Sequence, residues 1–130
     1  MMLMDTHIWI RWLTASDGEQ ALPGHLVEKI ELSPTLAISA ISCWELGQLV
    51  KRNRLRLQMP MEQWLNLACE GIQVIPVNRG IAELAANLPE HHRDPADRFI
   101  IATSLIHNLP LISLDQAFKQ YQELTDHLIS

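Results

Sequence analysis

Four carboxylates in this chain, Asp5, Glu45, Asp97 and Asp115, stand where an apolar run gives way to a helical pattern or in the first turn that follows. Leu3-Met4-Asp5-Thr6-His7 is the clearest case. A short apolar stretch ends abruptly in an acid, after which Ile8, Trp9 and Trp12 are spaced for one helical face. In a parallel α/β sheet the carboxyl ends of the strands share one edge, and that edge is where such sheets bind ligands. Four acids gathered there repel one another and raise each other's pKa, a cost in stability that helix capping alone would not require. A divalent cation removes that cost. Oxygen donors without a cysteine pair or an HExxH suit Mg2+ or Mn2+ rather than zinc. Such ions activate water and steady the attacking and leaving oxygens of a phosphodiester. The chain has neither GxSxG nor a P-loop, so no obvious side-chain nucleophile competes with that reading.

Taken singly, each acid has an ordinary explanation. Ser42-x-x-Glu45 reads as a capping box, and Asp94-Pro95-x-Asp97 as an N-cap with Pro at N1 and an acid at N3. Asp5 and Asp115 could cap the helices that follow them. It is the placement of all four at one kind of junction that favours a site.

The elements that would position them follow from periodicity and punctuation. Met2 to Asp5 reads as a buried strand, Thr6 to Leu13 as a helix, Thr14 to Gln20 as a loop and Leu22 to Leu32 as a second helix. A strand at Thr35 to Ser39 leads into a helix over Cys43 to Lys51, followed by the one strongly basic run, Lys51 to Arg56. Cations there complement the negative end of the helix dipole. Pro60 starts a helix through Ala68, with Gly71 as its C-cap, and Gln73 to Val77 is a strand in which Pro76 marks an edge or an end. Asn78 begins a helix closed by Pro89, and a polar loop runs from Glu90 to Arg93. Asp94-Pro95 opens the helix Ala96 to His107, apolar over nearly its whole circumference and therefore central. A strand at Leu109 to Ser113 ends at Asp115, Gln116 to Tyr121 is a short helix or turn, and Thr125 to Ile129 adds a last edge strand. The alternation predicts a three-layer α/β/α sandwich around a mostly parallel sheet of four or five strands, with right-handed crossovers.

With 130 residues and 48% hydrophobic composition, the chain is expected to form one domain over residues 1–130. Cys43 and Cys69 are too few for a disulfide framework and read as core residues of a reduced protein. The N-terminal run lacks a basic flank and is broken by Asp5 well short of a membrane span, so the expectation is a cytoplasmic protein with no membrane association. The formal charge of −5 provides no general attraction for nucleic acid, so a polyanion would have to be held by metal and by local basic patches.

At this level the chain resembles the PIN-domain ribonucleases, and most closely the toxin subunits of VapBC-type toxin–antitoxin modules. The resemblance is carried by Leu3-Met4-Asp5-Thr6-His7, Ser39-Ala40-Ile41-Ser42-Cys43-Trp44-Glu45-Leu46, His92-Arg93-Asp94-Pro95-Ala96-Asp97-Arg98 with Ile100-Ile101-Ala102-Thr103 behind it, and Leu111-Ile112-Ser113-Leu114-Asp115. It implies that Asp5, Glu45, Asp97 and Asp115 are the catalytic metal ligands. Asp97 takes the third place because it stands directly before the buried Ile-Ile-Ala-Thr turn, while Asp94 caps the helix and is at most a supporting group. His7 stands where many PIN domains carry an asparagine. The resemblance further implies endoribonuclease activity with Mg2+ or Mn2+, a homodimer, and a cognate antitoxin that covers the acidic pocket.

Around the acids, Thr6, Ser39 and Ser113 are candidates to orient carboxylates, against turn and cap bonding as the simpler role. His7 either touches a phosphate or finishes its turn, and Arg98 can neutralise the acids or meet a phosphate. Lys51, Arg52, Arg54 and Arg56 are the candidate RNA track, against a solvated helix end. Trp9, Trp12, Trp44 and Trp64 fall on apolar faces, where core or interface packing outranks base stacking. The alternatives are a non-catalytic binding module of this fold and a phosphorylated receiver domain. A receiver wants paired acids after the first strand and a late lysine, which Asp5-Thr6-His7 and Ser113-Leu114-Asp115 lack. A DxD phosphatase needs an acid at position 7, which is His7.

Overall fold

A computed structural model describes residues 1–14, 21–91 and 94–130. Of the loop expected over Thr14 to Gln20, Thr14 instead closes the first helix and the rest lies outside the described residues, as does part of the polar loop before Asp94. In chain order the elements are β1 (Met2–Met4), α1 (Thr6–Thr14), α2 (Gly24–Leu32), β2 (Leu36–Ser39), α3 (Ala40–Lys51), α4 (Met61–Ala68), β3 (Ile72–Ile75), α5 (Arg79–Asn87), α6 (Pro95–His107), β4 (Leu111–Ile112) and β5 (Leu128–Ile129). Two short 3-10 helices, Gln116–Gln120 and Gln122–Leu124, join β4 to β5. All the strand pairings are parallel, in the order β3-β2-β1-β4-β5. The strand that delivers Asp5 is therefore the central one.

Strand periodicity divides the core in two. Leu3, Ala37 and Leu111 point to one face, where Ile81 and Ala85 of α5 and Ile100 and Ile101 of α6 cover them. Met2, Met4, Ile38 and Ile112 point to the other, under Ile8 and Trp9 of α1, Leu26 and Ile30 of α2, Leu46 of α3 and Ala68 of α4. Alternate residues of one strand thus serve opposite layers, as the pleat requires. The continuous apolar runs in the sequence are what a parallel sheet covered on both sides needs.

Strand order also fixes where a site can form. From β1 to β2 to β3 the sheet grows in one direction with α1 to α4 on one face. The chain then passes back through α5 and α6 on the opposite face to lay β4 against the other side of β1. The gap between β1 and β4 at their carboxyl ends is the topological switch point, left open because the helices on either side run away from it to opposite faces. Asn108, in the left-handed conformation at φ 53°, ends α6 and turns the chain into β4.

The start of α3 and the burial of α6 differ from the sequence pattern. α3 begins at Ala40, directly after β2, because the Ser39 hydroxyl caps it by accepting the Ile41 N–H at 3.2 Å. Ser42 and Glu45 therefore stand inside the helix, and the pair is not a capping box. α6 is less enclosed than its composition suggests, since Ile106 is exposed. A buried residue of the central strand tests the packing. Leu3→Ala, at a fully buried position, is expected to destabilise the fold by about 2–5 kcal/mol in urea titration without abolishing cooperative unfolding.

Candidate functional site

Asp5 follows β1 directly and is buried, with 2% of its surface exposed. Its carboxylate is held on both oxygens. Oδ1 accepts the Thr6 N–H at 2.7 Å, while Oδ2 accepts the Ser113 hydroxyl at 2.7 Å and lies 3.0 Å from His7 Nδ1. The Ser113 hydroxyl in turn accepts the Asp115 N–H at 3.1 Å, so one serine ties the end of β1 to the turn after β4. His7 makes the same connection from the other side, because its Nε2 accepts the Leu114 N–H at 3.3 Å. That bond requires an unprotonated Nε2, which leaves the ring proton on Nδ1, where it donates to Asp5.

Glu45 is fixed by a different chain of hydroxyls. Thr6 Oγ1 donates to Glu45 Oε1 at 2.5 Å and lies 2.7 Å from Ser42 Oγ. A hydroxyl has one proton, so with Thr6 donating to Glu45, Ser42 must donate to Thr6. Ser42 is buried on α3 one turn before Glu45, which explains a polar residue at that depth. Ser42 was read from sequence as a cap and not as a site residue. Its capping-box spacing pointed to the right pair of positions for the wrong reason.

Asp94 caps α6, as its Asp-Pro setting predicts, through Oδ1 and the Ala96 N–H at 3.0 Å. It also faces the acids. One carboxylate oxygen each from Glu45, Asp94 and Asp97 lies within 4.8 Å of the other two. Asp115 accepts the Ala117 N–H at 3.0 Å and so caps the first 3-10 helix. These acids line a single cleft of about 380 Å³ at the switch point, bounded by Asp5, Glu45, Asp94, Asp97 and Asp115 with Thr6 and His7.

Crowding is visible in the titration of two of them. Burial, then the charges of Asp5, Asp94, Glu45 and Asp115, push the Asp97 carboxyl up to about 9. Glu45 is raised to about 7, first by burial and further by Asp94 and Asp5, against the opposing hydrogen bond from Thr6. Of the supporting residues expected from sequence, Thr6 and Ser113 bond carboxylates directly. Ser39 instead caps α3, and Arg98 faces Glu90 across 3.8 Å. On the cationic side, Arg54 of the basic run and Arg11 of α1 reach the cleft wall. Arg11 was missed, although it lies one helical turn beyond His7 and so shares its face.

A family model for the PIN domain matches residues 2–124. The chain belongs to the PIN domain family. It is 31% identical over 122 residues to Ribonuclease VapC22 of Mycobacterium tuberculosis, covering 93% of this chain and 92% of that protein. Its fold matches a chain of a toxin–antitoxin complex from Klebsiella pneumoniae, with TM-score 0.68, 22% identity, and 100% and 97% of the two chains covered. It also matches a chain of VapBC2 from Rickettsia felis bound to a promoter DNA fragment, with TM-score 0.71, 17% identity, and 99% and 98% covered. The parallel α/β sheet is thus that of a PIN domain. Among the described residues no helix is long and apolar enough to cross a membrane.

The raised carboxyls of this PIN domain make its stability depend on pH. A carboxyl whose pKa rises on folding binds its proton more tightly in the folded chain. Its contribution is fully present below the unfolded value and is lost as pH rises through the folded one. The window runs from 4.5 to about 7 for Glu45 and from 3.8 to about 9 for Asp97. With chelator present, the thermal midpoint is expected to fall between about pH 5 and pH 9. Asp97→Asn is expected to flatten the fall above pH 7, which differential scanning fluorimetry across that range would show.

Proposed function

We propose that this PIN domain is a metal-dependent endoribonuclease, the toxin of a type II toxin–antitoxin pair, in which Asp5, Glu45, Asp97 and Asp115 form the catalytic centre and Asp94 joins them. The observation that carries the proposal is the convergence of these carboxylates on one cleft, where burial first and neighbouring charges next raise the pKa of Asp97 and Glu45. The donor set fits a hard divalent cation, being oxygen-only, and Glu45, Asp94 and Asp97 among them are packed closely enough for shared ligation. Glu45, Asp94 and Asp97 would hold Mg2+ or Mn2+, with Asp5 and Asp115 completing the shell. Such a cation, when bound, supplies water activated for attack on a phosphodiester and positive charge for the oxygens of the displacement.

The chain's own groups prepare that chemistry. Three hydrogen-bond donors fix Asp5 in one orientation, and the Ser42–Thr6 hydroxyl chain does the same for Glu45. This is the outer support that metal-site carboxylates need. Arg11 and Arg54 on the cleft wall can meet phosphate oxygens. The 31% identity to a protein named as a ribonuclease supports RNA as the substrate. The toxin–antitoxin complexes that share the fold support a cognate antitoxin; a homodimer and a cytoplasmic location are part of the same proposal.

The most direct substitution is not Asp5→Asn. Both Asp5 oxygens accept hydrogen bonds, so an amide would turn its NH2 against a donor and disturb the fold as well as the site. Asp97→Asn removes a charge that the metal-free fold resists. The expected result is cleavage of single-stranded RNA in Mn2+ by the native chain, none in EDTA, and none by Asp97→Asn, whose metal-free form is nonetheless more heat-stable at about pH 8 than the native chain. Cleavage undiminished by Asp97→Asn, with enzyme free of contaminating nuclease, would refute the proposal. RNA that binds in Mn2+ but is never cut would support the binding-module alternative.

A further inference from the structure

Of the four tryptophans, Trp44 is the one left open, with 54% of its surface exposed. Trp9 is fully buried and meets the partly buried Trp64 edge-on at 5.6 Å, while Trp12 is packed against the same core. Of the core or interface packing expected for all four, Trp44 therefore takes no part in the core of this chain. An isolated apolar residue at a surface needs no explanation. Trp44, however, lines a second cleft of about 470 Å³ together with Gln48, Arg52 and Pro95, and this cleft shares Glu45, Leu49, Arg54 and Asp94 with the acidic one. The two adjoin along α3 as one groove, in which Asp5, Asp97 and Asp115 line only the first cleft, Trp44 and Arg52 only the second, and Arg54 both.

The turn after α3 is what brings the arginines there. Asn53 adopts the left-handed conformation at φ 58°, and the Arg54 N–H returns to the Leu49 carbonyl at 2.9 Å. The chain is thereby folded back on the helix end, and Arg54 lines both clefts rather than continuing outward. Arg52 and Arg54 pair with no carboxylate among the described residues. Helix-dipole complementarity accounts for cations near this end, but not for their place in the groove wall.

Resting on the ribonuclease reading above, we infer that this groove is a subsite for single-stranded RNA: an unpaired nucleobase stacks on the Trp44 indole while Arg52 and Arg54 hold phosphates flanking the one at the carboxylates. Charge selects the occupant. The chain carries −5 overall, so a polyanion is retained only where local cations meet it. A strand with a phosphate at every step can place one at the metal-binding acids and its neighbours at the arginines. An exposed indole accepts a base of any sequence once it is unstacked, which a duplex does not offer.

The test uses a short fluorescein-labelled single-stranded RNA of random sequence, in the Asp97→Asn background so that the strand survives. Fluorescence anisotropy should show Trp44→Ala weakening binding about tenfold and Trp44→Phe retaining most of it. Arg52→Ala and Arg54→Ala should each lower the slope of log affinity against log salt by about one. The same RNA annealed to its complement should be insensitive to Trp44→Ala. Unchanged thermal midpoints would show that folding is not the cause. Single-strand affinity unaltered by Trp44→Ala overturns the inference, and loss of dimer mass or antitoxin capture with RNA binding intact assigns the groove to protein instead and equally overturns it. If the native chain cuts RNA but Trp44→Ala changes nothing, the subsite alone fails. If the native chain neither binds nor cuts RNA, the ribonuclease reading fails with it.

Discussion

Repulsion among carboxylates held on one edge of the sheet is the constraint around which this PIN domain is arranged. Glu45, Asp94 and Asp97 bring oxygens within 4.8 Å of one another. Two unit charges at such a distance repel by about 3 kcal/mol at an effective dielectric of about 20. A helix cap contributes about 1 kcal/mol. Capping is real at Asp94 and Asp115, but it is too small to justify the cluster. Protonation of Asp97 and partial protonation of Glu45 are how the metal-free chain tolerates the crowding, and a divalent cation is how it would be relieved with all the acids ionised.

The sheet supplies the location and the hydroxyls supply the geometry. Reversal of strand order between β1 and β4 opens the edge where Asp5 and Asp115 emerge, and α3 and α6 carry Glu45, Asp94 and Asp97 to it from opposite faces of the sheet. Thr6, Ser42, Ser113 and His7 then join elements far apart in sequence, the Ser113–Asp5 bond linking positions 108 residues apart. Buried polar groups at this density are tolerated because each is bonded, and the result is a rigid frame around charged groups that would otherwise separate.

Much of this was legible before any coordinates. β1, α1, α5 and α6 followed from apolar periodicity and from Asn78 and Asp94-Pro95 as helix starts. The edge position of β3 followed from Pro76, and the last edge strand from the apolar tail. The acids were found because strand ends share an edge in this fold class. What the sequence could not reveal depends on contacts between distant segments. The start of α3 was misplaced because Ser39 and Ser42 are both good cap residues, and only the register of β2 decides which of them meets the helix N-terminus. Asp94 was read as a cap and at most a supporting group, because a side chain with two oxygens can cap with one and face the cluster with the other. Trp44 was read as core or interface packing because helical spacing gives a face but not what covers it, and among the described residues of this chain nothing buries it.

The account turns on protons standing where a cation belongs, so proton release on metal binding is the measurement that reaches it most directly. Isothermal titration of Mn2+ into the chain at pH 7, repeated in buffers of different ionisation enthalpy, counts the protons displaced. With Asp97 titrating at about 9 and Glu45 at about 7, binding should release more than one proton per chain. Release should fall by about one in Asp97→Asn, with weaker affinity. Mn2+ binding without proton release, or binding that is unchanged in Asp97→Asn, would contradict the assignment of this cluster as the metal centre.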